Sequence, residues 1–314
     1  VMLLNINDLI QPVSIGPGIM RRGTDGIPLR RGIDAARRDG ATVVWCHNRF
    51  GMEDLPNFLT GRVDAQNIFD GSVRDSYKDS FYRYLDVGLH VPFSTGTDWF
   101  VYDFSRVYCR LEGNLTVESW LDALSQGRSF ITNGPLLELA VAEKGPGDTL
   151  SLPSPASVQV VARGRGRCNF GRIELVRNGA VVGAAAARPV GGHFEAEIDS
   201  AVEIAEPSWL ALRTPPPPVE GDPALTEQVE KNELGRDLFA HTSAVYAAVA
   251  GEERFVPAVA GELLAEMRSS LELVERKAKL ADETERQRVL DVYRDGIESL
   301  KQRISRRKLQ RREQ

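Results

Sequence analysis

The chain of 314 residues is 42% hydrophobic and 26% charged, with a formal net charge of −5 at pH 7. This apolar fraction is enough to build hydrophobic cores, and a mainly disordered chain is excluded because low hydrophobicity and high net charge do not occur together. The sequence has no run of about 18 apolar residues, so it predicts no membrane-spanning helix. Its negative net charge argues against nucleic acid as a ligand.

Residues 1–142 are predicted to alternate between strands and helices. A helix over LRRGIDAARRDG ends at Gly40, and the apolar strand TVVWC follows it. VDAQNIFDG and HVPFSTGTD predict two more strands, with a helix over DSYKDSFYRYLDVG between them. SRVYCRLEG predicts a fourth strand, and Thr116 is the expected N-cap of a helix over TVESWLDALSQG. Alternation at this spacing predicts an α/β fold with largely parallel strands.

Residues 143–255 predict an antiparallel β-sandwich, because strands follow one another with turns between them and no helical pattern. Asn178-Gly179 indicates a two-residue hairpin, since both positions of such a turn need positive φ. The proline-rich run 214–223 is expected to form a stiff surface loop between two strands.

Residues 256–314 predict two antiparallel helices, the first opened by Pro257. Asp282 and Glu285 have the spacing of a capping box at the start of the second helix. Each helix carries an apolar stripe that must be buried on the rest of the chain or on a partner, so self-association through these helices is one expectation. The last 14 residues hold seven Lys or Arg and one Glu.

Polar residues follow three of the predicted strands of residues 1–142. His47 and Asn48 come after TVVWC, Asp70 after VDAQNIF, and Asp98 after HVPFSTGT. Functional groups in parallel α/β folds gather at the carboxyl ends of strands, so these residues suggest a divalent-metal site. The alternative is that the histidine is structural and that the carboxylates cap helices or turns.

Five motifs in residues 1–142 occur in the order and spacing of one known family: WCHN, GRVDAQNIFDG, FYRYLDVGLHVPFSTGTD, SRVYCRLEG and GRSFITNGPLLEL. IELVRNGAVVG and FAHTSAVYAAV resemble the C-terminal module of the same family. Over most of residues 1–255 the chain therefore resembles the CehA/McbA-type metallohydrolases, a branch of the polymerase-and-histidinol-phosphatase (PHP) superfamily. The resemblance implies that residues 1–142 form part of a distorted β/α barrel.

The resemblance places His47 and Asp98 at two metal-ligand positions of the family. A second histidine that the superfamily has two residues later is Phe100 here, and no His-x-His motif occurs in the chain. We therefore expect a C-terminal portion that lacks the first barrel strands. It should bind metal weakly and hydrolyse little alone, because catalytic sites usually need at least three protein ligands.

A complete site of this family would hydrolyse an ester, carbamate or phosphoester of a small molecule with a divalent metal (zinc, manganese or iron) and activated water. His47 and Asp98 would hold the metal, and Asp98 would also be catalytic by accepting a proton from the water. Asn48, Trp99 and Arg106 are the substrate-binding candidates because they flank these ligands, although Arg106 also fits a plain surface position.

The remaining histidines favour structural roles. His90 lies at the start of its strand, His193 is expected to face solvent, and His241 is expected to bond the backbone or the barrel interface. Glu53 and Asp54 fit either a position near His47 or the cap of a short helix. The competing hypothesis for the whole chain is a non-catalytic binding or assembly protein built on a degenerate barrel and a β-sandwich.

Overall fold

The computed structural model describes residues 1–10, 29–46, 53–68, 81–97, 104–216 and 229–313. It shows a mixed α/β protein with several sheets and a C-terminal pair of helices. The helices are α1 (Leu29–Arg38), α2 (Asp54–Leu59), α3 (Phe81–Asp86), α4 (Val117–Ser125), α5 (Pro257–Lys277) and α6 (Glu283–Glu313). The strands are β1 (Met2–Leu4), β2 (Thr42–Trp45), β3 (Ala65–Asn67), β4 (Phe93–Ser94), β5 (Arg106–Cys109), β6 (Ser129–Thr132), β7 (Leu136–Val141), β8 (Thr149–Leu152), β9 (Ala156–Gly166), β10 (Arg172–Arg177), β11 (Ala180–Ala186), β12 (Arg188–Val190), β13 (His193–Ile204), β14 (Ser208–Arg213), β15 (Ala240–Thr242) and β16 (Val245–Val249).

The described residues form two compact units. The terminal unit joins the described residues of 1–45 and 49–64 to residues 255–313. The central unit contains the described residues of 65–254. The predicted domain boundaries after residues 142 and 255 stay predictions.

In the terminal unit, β1 pairs with β2 in antiparallel orientation, and β2 is buried along its whole length. Helix α1 buries Ile33 and Ala36. Gly40 follows it with a φ of +76°, the left-handed conformation that the sequence predicts for this helix end.

The predicted helical pair is present, and α6 packs against both α2 and α5 of the same chain. Gly296 allows the close approach of α6 to α2, because a Cβ atom there would lie 2.6 Å from the Cα of Pro56. One turn further along α6, Ser299 Oγ donates a hydrogen bond to the Leu59 carbonyl oxygen at 2.8 Å. The apolar stripe is thereby buried, with the side chains of Val289, Leu290, Tyr293, Ile297 and Leu300.

Only half of the predicted capping box of α6 forms. Asp282 Oδ1 accepts a hydrogen bond from the Glu285 backbone N–H at 2.9 Å. The Glu285 carboxylate instead accepts from Arg288 Nη1 at 2.9 Å, one turn ahead on the helix. The nearby guanidinium attracts the carboxylate that a full capping box would direct to the Asp282 N–H.

The central unit contains two mainly antiparallel sheets that share one apolar core. The larger sheet runs in the order β11-β10-β14-β15-β6-β5, with β16 and β8 attached at β14, and the smaller sheet runs β12-β13-β9-β7. Side chains from both sheets meet in the core, among them Val160, Ile173, Ile198 and Leu212. The hairpin between β10 and β11 turns at Asn178-Gly179, whose φ values of +51° and +85° confirm the predicted turn.

The strands of residues 1–142 are less parallel than the sequence predicts. Of their described pairings, β3–β4 is parallel, whereas β1–β2 and β5–β6 are antiparallel. The connection from β5 to β6 contains α4, which Thr116 caps as predicted. After α4 the chain comes back to the C-terminal end of β5, where β6 begins. Arg110 N–H donates to the Arg128 carbonyl at 2.8 Å and closes this loop, so the helix extends a hairpin instead of crossing over to a parallel strand.

Candidate functional site

Arg106 is the predicted site residue that the structure describes. The residues His47, Asn48, Asp70, Asp98 and Trp99 lie outside the described residues, and so does part of the proline-rich loop, from 217 to 223. Strands β3 and β4, which precede Asp70 and Asp98 in the sequence, are described and show which edge of the sheet their carboxyl ends form.

That edge is formed by β3 and β4 of the central unit. The two strands are parallel, with Gln66 opposite Phe93 and Asn67 opposite Ser94, and the Ile68 N–H donates to the Ser94 carbonyl at 2.8 Å. Carboxyl ends of parallel strands lie at the same edge of a sheet. Strands β3 and β4, which precede Asp70 and Asp98 in the sequence, therefore both end at this edge.

Two neighbouring residues in each segment of this strand pair are polar and buried: Gln66 and Asn67 of β3, and Ser94 and Thr95 at the end of β4. Buried polar side chains at a strand end are costly unless they are bonded or used by a ligand. The Oδ1 atom of Asn67 is buried and has no hydrogen-bond partner among the residues that the structure describes. A carboxamide oxygen of this kind can act as a ligand of a hard divalent cation.

Two serines hold β4 in place from the larger sheet of the central unit. Phe93 N–H donates to Ser243 Oγ at 2.9 Å, and Ser129 Oγ donates to the Phe93 carbonyl at 2.8 Å. The two hydroxyls lie 2.9 Å apart, so Ser243 completes the ring of bonds by donating to Ser129. No sequence pattern predicts this pair of serines, because 114 residues separate them in the chain.

His241 is fully buried in the central unit, between Phe93 and Tyr82. Its Nδ1 lies 2.7 Å from the Thr242 carbonyl oxygen and must carry the hydrogen, so Nε2 accepts from the Tyr82 hydroxyl at 2.8 Å. Burial lowers the pKa of His241 to about 3 and raises that of Tyr82 to about 12, so both are neutral near pH 7. The expected backbone bond of His241 is confirmed.

The Tyr82 oxygen also accepts a hydrogen bond from Arg213 Nη1 at 3.1 Å. Arg213 Nε in turn donates to Glu174 at 2.9 Å, and Arg172 donates to the same carboxylate at 2.7 Å. Glu174 is buried, and a buried carboxylate flanked by two guanidinium groups is a structural ion cluster whose bonds orient Tyr82 and His241.

The other two histidines occupy different surfaces of the central unit. The His90 ring stacks on Tyr246 with centroids 3.6 Å apart and planes within 4°. His193 is half-buried, and its Nε2 lies 2.7 Å from Glu195 Oε1, which lowers the pKa of that carboxyl. Among the described residues no three His, Cys, Asp or Glu side chains gather as a metal site would require.

Arg106 begins β5 and lies at the mouth of a pocket of about 500 Å³. Its guanidinium carbon is 4.9 Å from the centroid of the Phe104 ring, and its Nη1 donates to the Phe104 carbonyl at 2.6 Å. Phe104 has a φ of +57°, a left-handed conformation that costs a bulky residue about 1–3 kcal/mol. Arg106 is an exposed residue, as its alternative surface position predicts, and its two contacts with Phe104 hold the guanidinium beside the pocket.

Glu53 and Asp54 lie in the terminal unit at the start of α2, where both are buried. Glu53 occupies the N-cap position but makes no side-chain capping bond, so the capping role considered from the sequence is not realised through its carboxylate. Burial, reinforced by the neighbouring charge of Asp54, raises the pKa of Glu53 to about 7.

A larger concavity of about 740 Å³ lies elsewhere in the central unit, along β9, β11 and β13. Its two arginines on β9 are neutralised by ion pairs, Arg163 with Glu197 at 2.9 Å and Arg165 with Glu195 at 2.8 Å. Because these charges are already paired along the sheet, size alone does not make this concavity the better candidate for a chemical site.

Comparison with models of known protein families, with curated proteins and with solved structures finds no match for this chain. No helix within the described ranges is both long and apolar enough to cross a bilayer. What the chain does must therefore be inferred from its own residues and contacts.

Proposed function

We propose that the chain belongs to a CehA/McbA-type metal-dependent hydrolase that cleaves an ester, carbamate or phosphoester of a small molecule. The parallel pair β3–β4 carries this proposal. Its shared carboxyl edge bears four buried polar side chains, among them Asn67, whose Oδ1 has no bond to any other described residue, and the two strands precede Asp70 and Asp98 in the sequence. A strand pair with a purely structural role would bury apolar side chains at these positions.

The finer architecture belongs to the same proposal. Residues 1–142 are the C-terminal part of a PHP-like distorted barrel, and residues 143–255 are an antiparallel β-sandwich. The parallel β3–β4 pair supports the first assignment, and the single core shared by two sheets of the central unit supports the second.

The proposed chemistry divides between metal ligands and substrate-binding groups. A bound zinc, manganese or iron ion would lower the pKa of its water and polarise the scissile carbonyl or phosphoryl group. His47 and Asp98 would hold this ion, and the buried Asn67 oxygen is of the kind that suits such a cation. Asp98 would also accept the proton of the water, while Asn48, Trp99 and Arg106 would bind the substrate.

Bound metal in the complete gene product tests this proposal. We expect His47→Ala and Asp98→Ala each to lower the metal content measured by elemental analysis, because each removes one ligand. The control is His193→Ala, which removes a half-exposed imidazole paired with Glu195 and should leave the metal content unchanged. An unchanged metal content in both site variants would contradict the proposal.

One observation favours the alternative of a non-catalytic binding protein. The concavity of about 740 Å³ is lined by Leu136 and Val190, whose large apolar side chains are exposed. Exposed apolar residues around a groove are typical of surfaces that bind another molecule. If the complete protein bound no divalent metal at all, this alternative would become the better hypothesis.

A further inference from the structure

The Arg106 pocket is enclosed by three parts of the central unit that are distant in sequence. Its lining comes from Arg106 and Tyr108 of β5, from the turn after β6, and from the segments around Cys168 and Glu233. A volume of about 500 Å³ lies within the range of natural small-molecule sites.

The charge of Arg106 is not neutralised within the described part of the chain. No described carboxylate lies within 4.0 Å of its guanidinium, although the ion pairs of neighbouring arginines such as Arg110 with Asp148 are present. One N–H bonds the Phe104 carbonyl, and a guanidinium has five N–H donors. Four donors therefore stay available to a ligand, held in a fixed plane.

The backbone of Phe104 adopts an unfavourable conformation that keeps this guanidinium in place. Its φ is +57°, and both its carbonyl oxygen and its ring contact Arg106. Strained backbone of this kind persists where surrounding structure enforces it and is concentrated at functional sites. A role of the Arg106 guanidinium in binding a ligand would explain why this backbone strain is kept.

Three other polar side chains that line the pocket, those of Asn133, Arg167 and Glu233, are already bonded within the chain. Asn133 accepts from the Phe239 N–H at 2.8 Å and donates to the Asp237 carbonyl at 2.8 Å, and Arg167 pairs with Glu233 at 2.8 Å. Tyr108, which is 43% exposed, stacks on Phe130 with ring centroids 5.1 Å apart. The pocket thus combines one uncompensated positive charge with flat aromatic surface.

We infer that this pocket binds a small organic anion, its carboxylate or phosphate on Arg106 and a flat apolar part beside Phe104 and Tyr108. Arginine binds both kinds of oxyanion through paired N–H donors. The inference rests on the proposed function, since it gives the substrate of the hydrolase a chemical class, but it is tested by binding alone.

Calorimetric titration with phenyl phosphate and with benzoate, in the presence of EDTA, tests the inference without any contribution from a metal. We expect at least one anion to bind at millimolar concentration or tighter and uncharged phenol to bind much more weakly. Arg106→Ala should weaken anion binding by about tenfold or more, because a charge-assisted bidentate contact is lost. Phe104→Leu should weaken binding by a smaller factor, since it removes the ring beneath the guanidinium.

The matched control is Arg163→Ala, an exposed arginine that pairs with Glu197 outside this pocket. It should bind the anion as tightly as the unmodified chain, and circular dichroism should show that all three variants are folded. Binding of neither anion, or equal affinity of Arg106→Ala and the unmodified chain, would overturn the inference. The two proposals can fail separately. If anion binding depends on Arg106 while His47→Ala and Asp98→Ala leave the metal content unchanged, the pocket is supported and the hydrolase is refuted.

Discussion

Replacing Glu53 by glutamine should stabilise the terminal unit at neutral and alkaline pH. Glu53 is buried at the start of α2, and its Oε1 atom has no hydrogen-bond partner in the described part of the chain. The charged groups that act on it are Asp54 beside it, Arg30 of α1 and the N-terminal amino group, and the Tyr293 phenol of α6 also interacts with it. Burial dominates and raises the pKa of Glu53 from 4.5 to about 7.

The sign and size of the effect follow from this raised pKa. Below pH 4.5 the carboxyl is protonated in both the folded and the unfolded chain. As the pH rises from there to about 7, the unfolded chain loses the proton while the folded chain keeps it, so stability is lost across this interval and is constant above it. The loss amounts to about 3 kcal/mol at 1.36 kcal/mol per pKa unit, and Glu53→Gln avoids it.

Urea unfolding followed by circular dichroism at pH 4.5 and pH 8 measures this difference, since α5 and α6 of the terminal unit contribute much of the helical signal. The stability gained by Glu53→Gln should be about 3 kcal/mol larger at pH 8 than at pH 4.5. Glu298→Gln, on the exposed face of α6, is the control and should show no such pH dependence. An equal effect of Glu53→Gln at both pH values would refute a protonated, buried Glu53.

Two further substitutions test the packing of each unit. Gly296→Ala should destabilise the terminal unit by about 1–3 kcal/mol, because the new Cβ would press against Pro56; an unchanged urea midpoint would show that α2 and α6 separate without cost. Tyr82→Phe should destabilise the central unit by about 1–3 kcal/mol, since the hydroxyl bonds both His241 and Arg213. Thermal unfolding checks this loss, and His193→Ala, which breaks only a surface pair, should change the midpoint little.

Local features of the fold could be predicted because adjacent residues determine them. The left-handed Gly40, the Thr116 cap and the Asn178-Gly179 turn each depend on backbone conformation or bonds within a few residues. Strand direction depends on more distant partners. The antiparallel β5–β6 pair is closed by a bond between Arg110 and Arg128, and an alternating pattern of strands and helices does not distinguish this loop from a crossover.

The candidate site shows the same division between local and distant determinants. The sequence placed Arg106 among substrate-binding candidates from its position after a metal-ligand motif, and the structure locates it at a pocket. Its fixed geometry was not predictable, because it arises from the positive φ of Phe104, a conformation that phenylalanine does not favour. The serine ring at Phe93 likewise depends on a side chain 150 residues away.

The terminal unit is built from segments that are far apart in the chain, and this affects the order in which the chain folds during synthesis. Its N-terminal elements pack against helices that are translated only after the whole of residues 65–254. At 5–20 residues per second, α1 and α2 wait roughly 10–55 seconds for α6. Throughout that time the buried surfaces of Ile33 and Leu55 lack their final cover, while the central unit can already complete its sheets. Folding of the nascent chain therefore depends on protection of α1 and α2, and a chaperone that binds their apolar residues should raise the yield of folded protein.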